Sequence, residues 1–358
     1  MTGRSTSIRT PKRPVKAAGG ALLVLLVAIV AAGCGSNSSG STAGSGTTLT
    51  LYNAQHEQTT ARLIAAFTKQ TGIKVRVEND DEDVLTAQIE QEGSRSPADV
   101  FYTENSNWLQ QLGERGMLEK VDATALANVP KQDSAGNGDW LGVSARISVL
   151  VYNTSKLTAS QLPKSVIGLA EPRWKGKIEI APSETDFWPI VSSVARADGH
   201  AAALAWLKGL KANAGENDDV PDNETLTSDV SQGTTDLALI NHYYYYRLQA
   251  EVGKSSVHAK IAYFAPGDPG YVEDISGAAI LKSSTHKAAA QEFLDFLTSK
   301  EGQTVLAHSD SFEYPIRKDV PANPELTPLD QLAPNSFTPA ELGTGLDAKT
   351  LLQEAGLI

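Results

Sequence analysis

The sequence predicts an α/β protein of two lobes joined by crossing strands, and two observations support this prediction. From residue 49 onwards, strand-like and helix-like hydrophobic patterns alternate, and the alternation resumes after the apolar region that ends at Asn153. In addition, no Gly/Ser-rich linker divides this part of the chain. Such an alternation is typical of a parallel sheet that is covered by helices.

The first half of this region alternates regularly between the two patterns. Gly72 is expected to close the first helix, because glycine is common just after helix C-termini. The hydrophobic periods predict strands at LTLYNA (49–54), IKVRV (73–77) and ADVFYT (98–103), and helices at TTARLIAAFTKQTG (59–72) and DVLTAQIEQEG (83–93).

The second half continues the same rhythm and then reaches an unusual run of four tyrosines, Tyr243 to Tyr246, directly after a predicted strand. The patterns predict strands at KIEIA (177–181), DLALI (236–240) and ISGAAILK (275–282), and helices at FWPIVSSVARADG (187–199), AALAWLKGLKAN (202–213) and KAAAQEFLDFLTSKEGQ (287–303). Successive helical residues point about 100° apart, so one helix turn cannot aim all four phenols at one point. The run therefore contains more phenols than one ligand site can use.

The N-terminal segment is predicted to be a targeting signal. Five basic residues precede the apolar run ALLVLLVAIVAAG, which is short for a membrane span and typical of a signal-peptide core. Small residues then lead to Cys34, the chain's only cysteine, in a pattern that resembles a bacterial lipobox. We predict a lipoprotein signal peptide over 1–33 and a Gly/Ser-rich tether over 34–48, which begins at an acylated Cys34. The alternative is an ordinary signal peptide with an incidental cysteine.

The charge of the chain argues against nucleic acid as a partner. Removal of residues 1–33 takes away five basic and no acidic residues, which leaves 26 basic and 42 acidic residues and a formal net charge of −16. An acidic protein of this kind is repelled by phosphate backbones. The signal peptide, the acylated Cys34 and the tether together predict a protein that is held by a lipid anchor at the extracytoplasmic face of the cell membrane.

Polar side chains follow three of the predicted strands, at the sheet edge where ligands of parallel sheets bind. They are His56 after LTLYNA, Glu104 after ADVFYT, and the segment from Asn241 to Tyr244 after DLALI. Each has an ordinary structural alternative, such as a loop histidine, a glutamate at a helix N-terminus or an aromatic core contact. Together, phenolate, carboxylate and imidazole donors suit Fe(III), whereas Zn(II) more often recruits cysteine or several histidines.

Eight segments of the chain are similar, in order and spacing, to the bacterial ferric-iron-binding proteins that serve ABC importers. They are LYNAQHEQ, FYTEN, PRWKGKI, WLKGLKAN, LALINHYYYYRL, DPG, SGAAILK and EYPIR. These proteins form the transferrin-like periplasmic family, a branch of the type 1 extracellular solute-binding proteins. The resemblance covers nearly all of the chain from residue 49. It implies a monomer that binds iron and delivers it to a membrane permease, without enzymatic turnover.

The resemblance also implies a fold and a set of ligands. The fold is the two-lobe periplasmic-binding-protein fold of type II, in which each lobe has a mainly parallel sheet flanked by helices and the ligand lies in the interlobe cleft. The N-terminal lobe would comprise 49–149 and 274–324, and the C-terminal lobe 150–273 and 325–358. The implied Fe(III) ligands are His56, Glu104, Tyr243 and Tyr244, with Asn241 and Asn223 in contact with a synergistic anion, carbonate or phosphate. This assignment leaves Tyr245 and Tyr246 for packing or for the rim of the cleft.

One stretch departs from the pattern of this family. Where phosphate-using members have a turn of small residues, this chain has PSETDF (182–187), which contains Glu184, Thr185 and Asp186. Either the site uses another anion such as carbonate, or a carboxylate replaces the anion, or the acids face elsewhere. The spacing of Ser183 and Asp186 favours the last interpretation, a capping box in which Asp186 caps its own helix. Arg146 could supply positive charge to an anion pocket or form a buried ion pair.

Three other functions remain open on the sequence alone. The nearest is a solute-binding protein for another small ligand, such as a polyamine, thiamine or a phosphonate. A secreted hydrolase that uses Glu104, His56 and a tyrosine is less favoured, because the sequence contains no G-x-S-x-G, H-E-x-x-H or Walker motif. An adhesive or sensory lipoprotein of the same fold is the third.

Overall fold

The computed structural model describes residues 46–358, whose nine strands pair into one sheet. The predicted signal peptide, Cys34 and most of the tether lie outside these residues. Among the described helices, none has the length and apolar character needed to cross a membrane. The strands are β1 (Thr48–Ala54), β2 (Lys74–Asn79), β3 (Val100–Thr103), β4 (Leu141–Asn153), β5 (Ile178–Glu179), β6 (Leu237–Asn241), β7 (Ala259–Ala262), β8 (Glu273–Ile280) and β9 (Tyr314–Pro315).

The helices flank this sheet and occupy most of the positions that the hydrophobic periods predict. Gly72 ends the first helix with a φ of 76°, as expected from the sequence. The helices are α1 (Glu57–Thr71), α2 (Glu82–Glu92), α3 (Ser106–Glu114), α4 (Ala123–Leu126), α5 (Trp188–Asp198), α6 (His200–Ala214), α7 (Asn223–Gln232), α8 (His242–Val252), α9 (Lys287–Leu297), α10 (Lys300–Ala307), α11 (Pro339–Leu342) and α12 (Leu346–Ala355).

Strand β4 joins the two halves of the sheet. Its first half, up to Ile147, pairs with β8, whereas its second half, from Ser148, pairs with β6 and β7. All thirteen residues of β4 are buried, which explains its nearly continuous run of apolar and small residues. The prediction of crossing strands between two α/β halves is therefore confirmed.

The direction of the strands differs in part from the prediction of mainly parallel sheets. The pairs β1–β2, β1–β3 and β5–β6 are parallel, but β8 runs antiparallel to β3, and β4 runs antiparallel to β6, β7 and β8. The sheet is mixed because the strands that pass between the halves return against their neighbours. The βαβ patterns of the sequence report only the local parallel units.

The helix predicted over 287–303 is wrong in one respect, because two helices occupy that segment. Helix α9 ends at Leu297, and the side chain of Ser299 accepts a hydrogen bond from the Gly302 N–H to cap α10. Gly302 packs so closely that an added Cβ would lie 2.1 Å from the backbone oxygen of Phe296. The apolar period continues through the break, so the period alone did not reveal it.

Candidate functional site

Three strand ends position the polar residues that the sequence singled out. Strands β1 and β3 are adjacent and parallel, and the N–H of Glu104 donates to the Ala54 oxygen at 3.2 Å. His56 stands at the start of α1, and Glu104 follows β3 directly. Strand β6, in the other half of the sheet, ends at Asn241 and leads into α8, whose first turn contains Tyr243 and Tyr244.

The structure brings the four predicted ligands together around one further residue, Asp186. Tyr243 Oη lies 3.1 Å from Glu104 Oε2 and 3.0 Å from Asp186 Oδ2, and Tyr244 Oη lies 2.8 Å from the same Oδ2. His56 Nδ1 lies 3.0 Å from Glu104 Oε1. We call these five residues the donor cluster.

The capping box predicted for Asp186 is wrong. The short 3-10 helix Thr185–Phe187 has no side-chain cap, and the Asp186 carboxylate instead accepts hydrogen bonds from Tyr243 and Tyr244. Its other oxygen accepts from Asn105 Nδ2 at 3.1 Å. Asp186 is buried, so its charge has to be met by donors and cations rather than by water.

Arg146 is fully buried beside the donor cluster and faces four carboxylates. Its guanidinium nitrogens lie 3.8 Å from Glu104, 3.4 Å from Asp186, 3.0 Å from Asp274 and 3.3 Å from Glu313. The buried ion pair that was predicted for Arg146 is therefore confirmed, whereas its contacts among the described residues are to carboxylates and do not show an anion pocket. It lies in β4, next to the point where that strand passes from one half of the sheet to the other.

Burial and charge set different protonation states for the two acids of the cluster. Burial raises the pKa of Glu104 well above its usual range, and Asp186 adds to this effect. Burial also acts to raise the pKa of Asp186, but Arg146 and the hydrogen bonds from Tyr244, Asn105 and Tyr243 hold it below its usual range. Without a metal, Glu104 therefore holds a proton more readily than Asp186 does.

The remaining donors are neutral in the same environment. Burial, followed by the charges of Asp186 and Glu104, raises the pKa of Tyr243 and of Tyr244 well above the usual range of a phenol. Burial, followed by Arg247, lowers the pKa of His56 to about 3, which leaves the ring in the neutral form that ligates metals. A bound cation of high charge would favour the phenolates instead.

The spacing of the oxygens suits a small, six-coordinate ion. Adjacent ligands of an octahedral ion with bonds of about 2.0–2.1 Å lie roughly 2.9 Å apart. The three phenol–carboxylate distances are 3.1, 3.0 and 2.8 Å. Among the described residues, no three His, Cys, Asp or Glu side chains form a metal-holding group by themselves, so a metal bound here would also need the phenols as ligands.

The cluster opens into a cavity of about 520 Å³. The side chain of His56 is 10% exposed, and its Nε2 is buried without a partner among the residues that the structure describes. His56, Glu104, Asp186 and Tyr244 all line this cavity. The residues that line the cavity thus include one imidazole and several oxygen donors, with few apolar side chains.

The residues predicted to contact an anion occupy different positions. Asn223 Nδ2 lies 3.5 Å from Tyr244 Oη, and Thr185 Oγ1 lies 3.4 Å from Asn105 Nδ2. Asn241 is buried, and its Nδ2 has no hydrogen-bond partner in residues 46–358. These three residues surround the cluster, and nothing in their contacts assigns an anion to them.

The last two tyrosines of the run pack as expected. Tyr246 is buried and stacks on Phe312 with ring centroids 5.9 Å apart. Tyr245 is partly buried, and its hydroxyl accepts a hydrogen bond from Gln249 Nε2 at 2.7 Å. Neither hydroxyl contacts the donor cluster in the described residues, so the expectation of two packing tyrosines is confirmed.

Several residues of the site were not predicted from the sequence. Asn105 directly follows Glu104, and Arg247 lies one helical turn beyond Tyr243, so both had a local signal in the sequence. Arg247 Nη1 lies 3.5 Å from His56 Nδ1 and 3.1 Å from Glu224 Oε1. Asp274 and Glu313, in contrast, reach Arg146 from distant parts of the chain and had no local signal.

Comparison with known proteins places the chain among solute-binding proteins. The sequence matches the family described as "Bacterial extracellular solute-binding protein" over residues 62–334. The Fe(3+)-binding periplasmic protein of Serratia marcescens is 40% identical over 310 residues, which cover 87% of this chain and 90% of the relative.

Solved structures are similar over the same region. Iron-bound HitA from Pseudomonas aeruginosa is 41% identical, with a TM-score of 0.83 and coverage of 87% of this chain and 99% of that chain. FutA (IdiA) from Trichodesmium, in complex with iron and citrate ligands, is 29% identical, with a TM-score of 0.77 and coverage of 87% and 100%. These similarities confirm the predicted two-lobe α/β fold.

Proposed function

The chain belongs to the bacterial extracellular solute-binding proteins, and from this premise we propose that it binds Fe(III) outside the cytoplasm and delivers it to the permease of an ABC importer. The names of its relatives support this proposal, since the Serratia protein is an Fe(3+)-binding protein and HitA was solved with iron. We further propose that an acylated Cys34 anchors the protein to the membrane, with 34–48 as the tether. The protein acts as a monomeric carrier and catalyses no reaction.

The observation that carries the proposal is the geometry of the donor cluster. Two phenols, two carboxylates and one imidazole meet at one point, with oxygen–oxygen distances of 2.8 to 3.1 Å. Hard, anionic oxygen donors with one imidazole suit Fe(III). In this proposal the ligands are His56, Glu104, Asp186, Tyr243 and Tyr244, and iron displaces the protons that the phenols and Glu104 hold in its absence.

The charges of the site support binding without an added anion. Two phenolates and two carboxylates carry four negative charges, whereas Fe(III) and the adjacent Arg146 together carry four positive charges. Because Arg146 is shared with Asp274 and Glu313, the iron-loaded cluster has no positive charge left over, and an extra carbonate or phosphate would add negative charge in a buried place. We therefore propose that Asp186 takes the coordination position that a synergistic anion would fill, and that water completes the shell.

The two halves of the sheet supply ligands from opposite sides. His56 and Glu104 follow β1 and β3, whereas Tyr243 and Tyr244 follow β6. We propose that the lobes, with the boundaries given above, close on iron by hinge motion and that the permease binds the closed form. Strand β4 and its neighbour β8 are the natural hinge, because β4 belongs to both halves.

The central experiment is a titration of iron followed by visible absorption. Phenolate-to-iron charge transfer should colour the loaded protein, and Tyr243→Phe or Tyr244→Phe should each abolish or greatly weaken the band. Tyr246→Phe is the matched control. It removes a hydroxyl from a buried tyrosine of the same helix, and this hydroxyl does not contact the donor cluster in the described residues. A colourless loaded wild type would exclude the proposal, and equal effects of all three variants would refute the assignment of the two ligands.

The role of Asp186 needs a separate titration in buffer stripped of carbonate and phosphate. The wild type should bind iron fully there, whereas Asp186→Ala should bind it more than about 100-fold more weakly, since loss of an outer-shell partner alone costs 10–100-fold. Adding carbonate should restore much of the binding by the variant. Glu184→Ala, which removes an acid from the same turn, is the control. If the wild type itself requires an anion to bind iron, the proposed role of Asp186 is contradicted. The assignment of the two phenols as ligands would not be affected by that result.

A further inference from the structure

The cavity that leads to the donor cluster is lined by acids on both of its sides. Glu57 comes from the start of α1, Asp80 and Asp81 come from the connection between β2 and α2, and Asp83 comes from the first turn of α2. Glu184, Asp222 and Glu224 come from the other half of the molecule. We call these seven residues the acidic rim. None of them belongs to the donor cluster.

Little positive charge balances the acidic rim. Arg247 is the one Lys or Arg among the described residues that line the cavity, and it already pairs with Glu224 at 3.1 Å. The other six rim acids form no salt bridge within residues 46–358, and four of them, Glu57, Asp80, Asp81 and Asp83, are exposed. Even with the partly buried Glu184 counted as neutral, the rim keeps a clear excess of negative charge.

Two further observations indicate which iron species can enter this cavity. His56 lines the cavity, its side chain is nine-tenths buried, and its Nε2 has no hydrogen-bond partner among the described residues, which suits a Lewis acid. With one Fe(III) bound and Arg146 shared with Asp274 and Glu313, the donor cluster keeps no excess of positive charge for an anion that arrives with the iron. Clefts lined by charge of one sign raise the local concentration of opposite charge and change association rates by about 10–10³-fold.

We propose that this protein takes up iron as cationic or neutral Fe(III) species and discriminates against iron that is still held in an anionic carboxylate chelate. The inference rests on the proposed iron-binding function and specifies the form of its substrate. Fe(III) citrate is anionic at neutral pH, so the acidic rim repels it and citrate has to leave before the donor cluster is filled. The protein thus differs from the similar FutA structure, which was solved with citrate as well as iron.

The test compares iron transfer from two sources of different charge at equal iron concentration. Ferric citrate is the anionic source, and the tris-acetohydroxamate complex of Fe(III) is the neutral one. The rim variant combines Asp80→Asn, Asp81→Asn and Asp83→Asn, because asparagine keeps the side-chain oxygens that accept from the Asp81 and Val84 N–H groups. The control combines Glu114→Gln, Glu216→Gln and Glu251→Gln, which removes the same charge from exposed residues outside the cavity lining.

Growth of the phenolate–iron band in a stopped-flow instrument gives the transfer rate. At low ionic strength the rim variant should take iron from citrate roughly tenfold faster than the wild type, and the difference should largely vanish in 1 M salt. Transfer from the acetohydroxamate complex should change less than about twofold, and the control should match the wild type with both sources. Radiolabelled citrate should not remain on the loaded wild type after gel filtration.

Two results would overturn the inference in different ways. If the rim variant and the wild type take iron from citrate at the same rate, or if one citrate stays with each bound iron, the rim does not select against the chelate and only this inference fails. If no band develops from either source, the proposed function fails and the inference fails with it.

Discussion

Replacing Arg146 with methionine would leave four buried carboxylates without the cation that faces all of them. The guanidinium lies within 3.0 to 3.8 Å of Asp274, Glu313, Asp186 and Glu104, and its side chain has no exposure to water. Removing one partner of a buried ion pair typically costs about 3–5 kcal/mol. For roughly 300 ordered residues the entropy of unfolding is about 0.6 kcal/mol per kelvin, so Tm should fall by about 5–8 °C.

The assay is thermal unfolding of the iron-free and the iron-loaded protein. Iron should reduce the difference in Tm between Arg146→Met and the wild type, because the bound cation then faces Glu104 and Asp186. Arg146→Lys keeps the positive charge but loses the planar guanidinium, so its Tm should lie between those of the wild type and Arg146→Met. The reasoning is refuted if the iron-free Arg146→Met variant melts at the temperature of the wild type, or if iron widens the difference.

Three more predictions concern other parts of the chain. Burial, followed by the charge of Glu273, raises the pKa of Asp133 to about 7, so the folded state holds an extra proton between about pH 4 and 7 and its stability falls as pH rises through that window. In urea unfolding, the stability of Asp133→Asn relative to the wild type should therefore increase from pH 5 to pH 8. A stability difference that stays constant with pH would contradict this prediction. Gly302→Ala should cost roughly 1–3 kcal/mol, because its Cβ would collide with the Phe296 backbone oxygen, and an unchanged Tm would show that the helix junction adapts. Cys34→Ala should release the protein into the soluble fraction or leave it as precursor, with iron binding intact, and wild-type protein that partitions free of lipid would argue against the anchor.

The ligands that the sequence suggested share one property, which made them predictable. His56, Glu104, Tyr243 and Tyr244 each follow a buried strand within a few residues, and the period of those strands is a local signal. Parallel strands then bring their carboxyl ends to one edge without any long-range information. The resemblance of the quoted segments selected the two phenols, since periodicity alone could not choose among four.

Asp186 shows where such local reasoning fails. Its spacing from Ser183 fits a capping box, and the sequence alone does not show that two phenols lie within hydrogen-bond distance from a helix 57 and 58 positions further on. The contacts of Arg146, the cation beside Asp186, were equally unpredictable, because Arg146 meets Asp274 and Glu313 only after the strands have paired. Long-range electrostatic partners of this kind depend on the completed fold, so no window of the sequence contains them.

The position of Arg146 in β4 limits how the metal preference of this protein could be redesigned. The strand belongs to both halves of the sheet and is buried throughout, so its one cation is effectively a fixed charge of the scaffold. If iron binds as proposed, a divalent ion in the same cluster would leave this buried site one charge more negative than Fe(III) does. An engineered sensor for zinc or ferrous iron should therefore lose one anionic donor, with Asp186 or Glu104 as the position to change, while β4 is left intact.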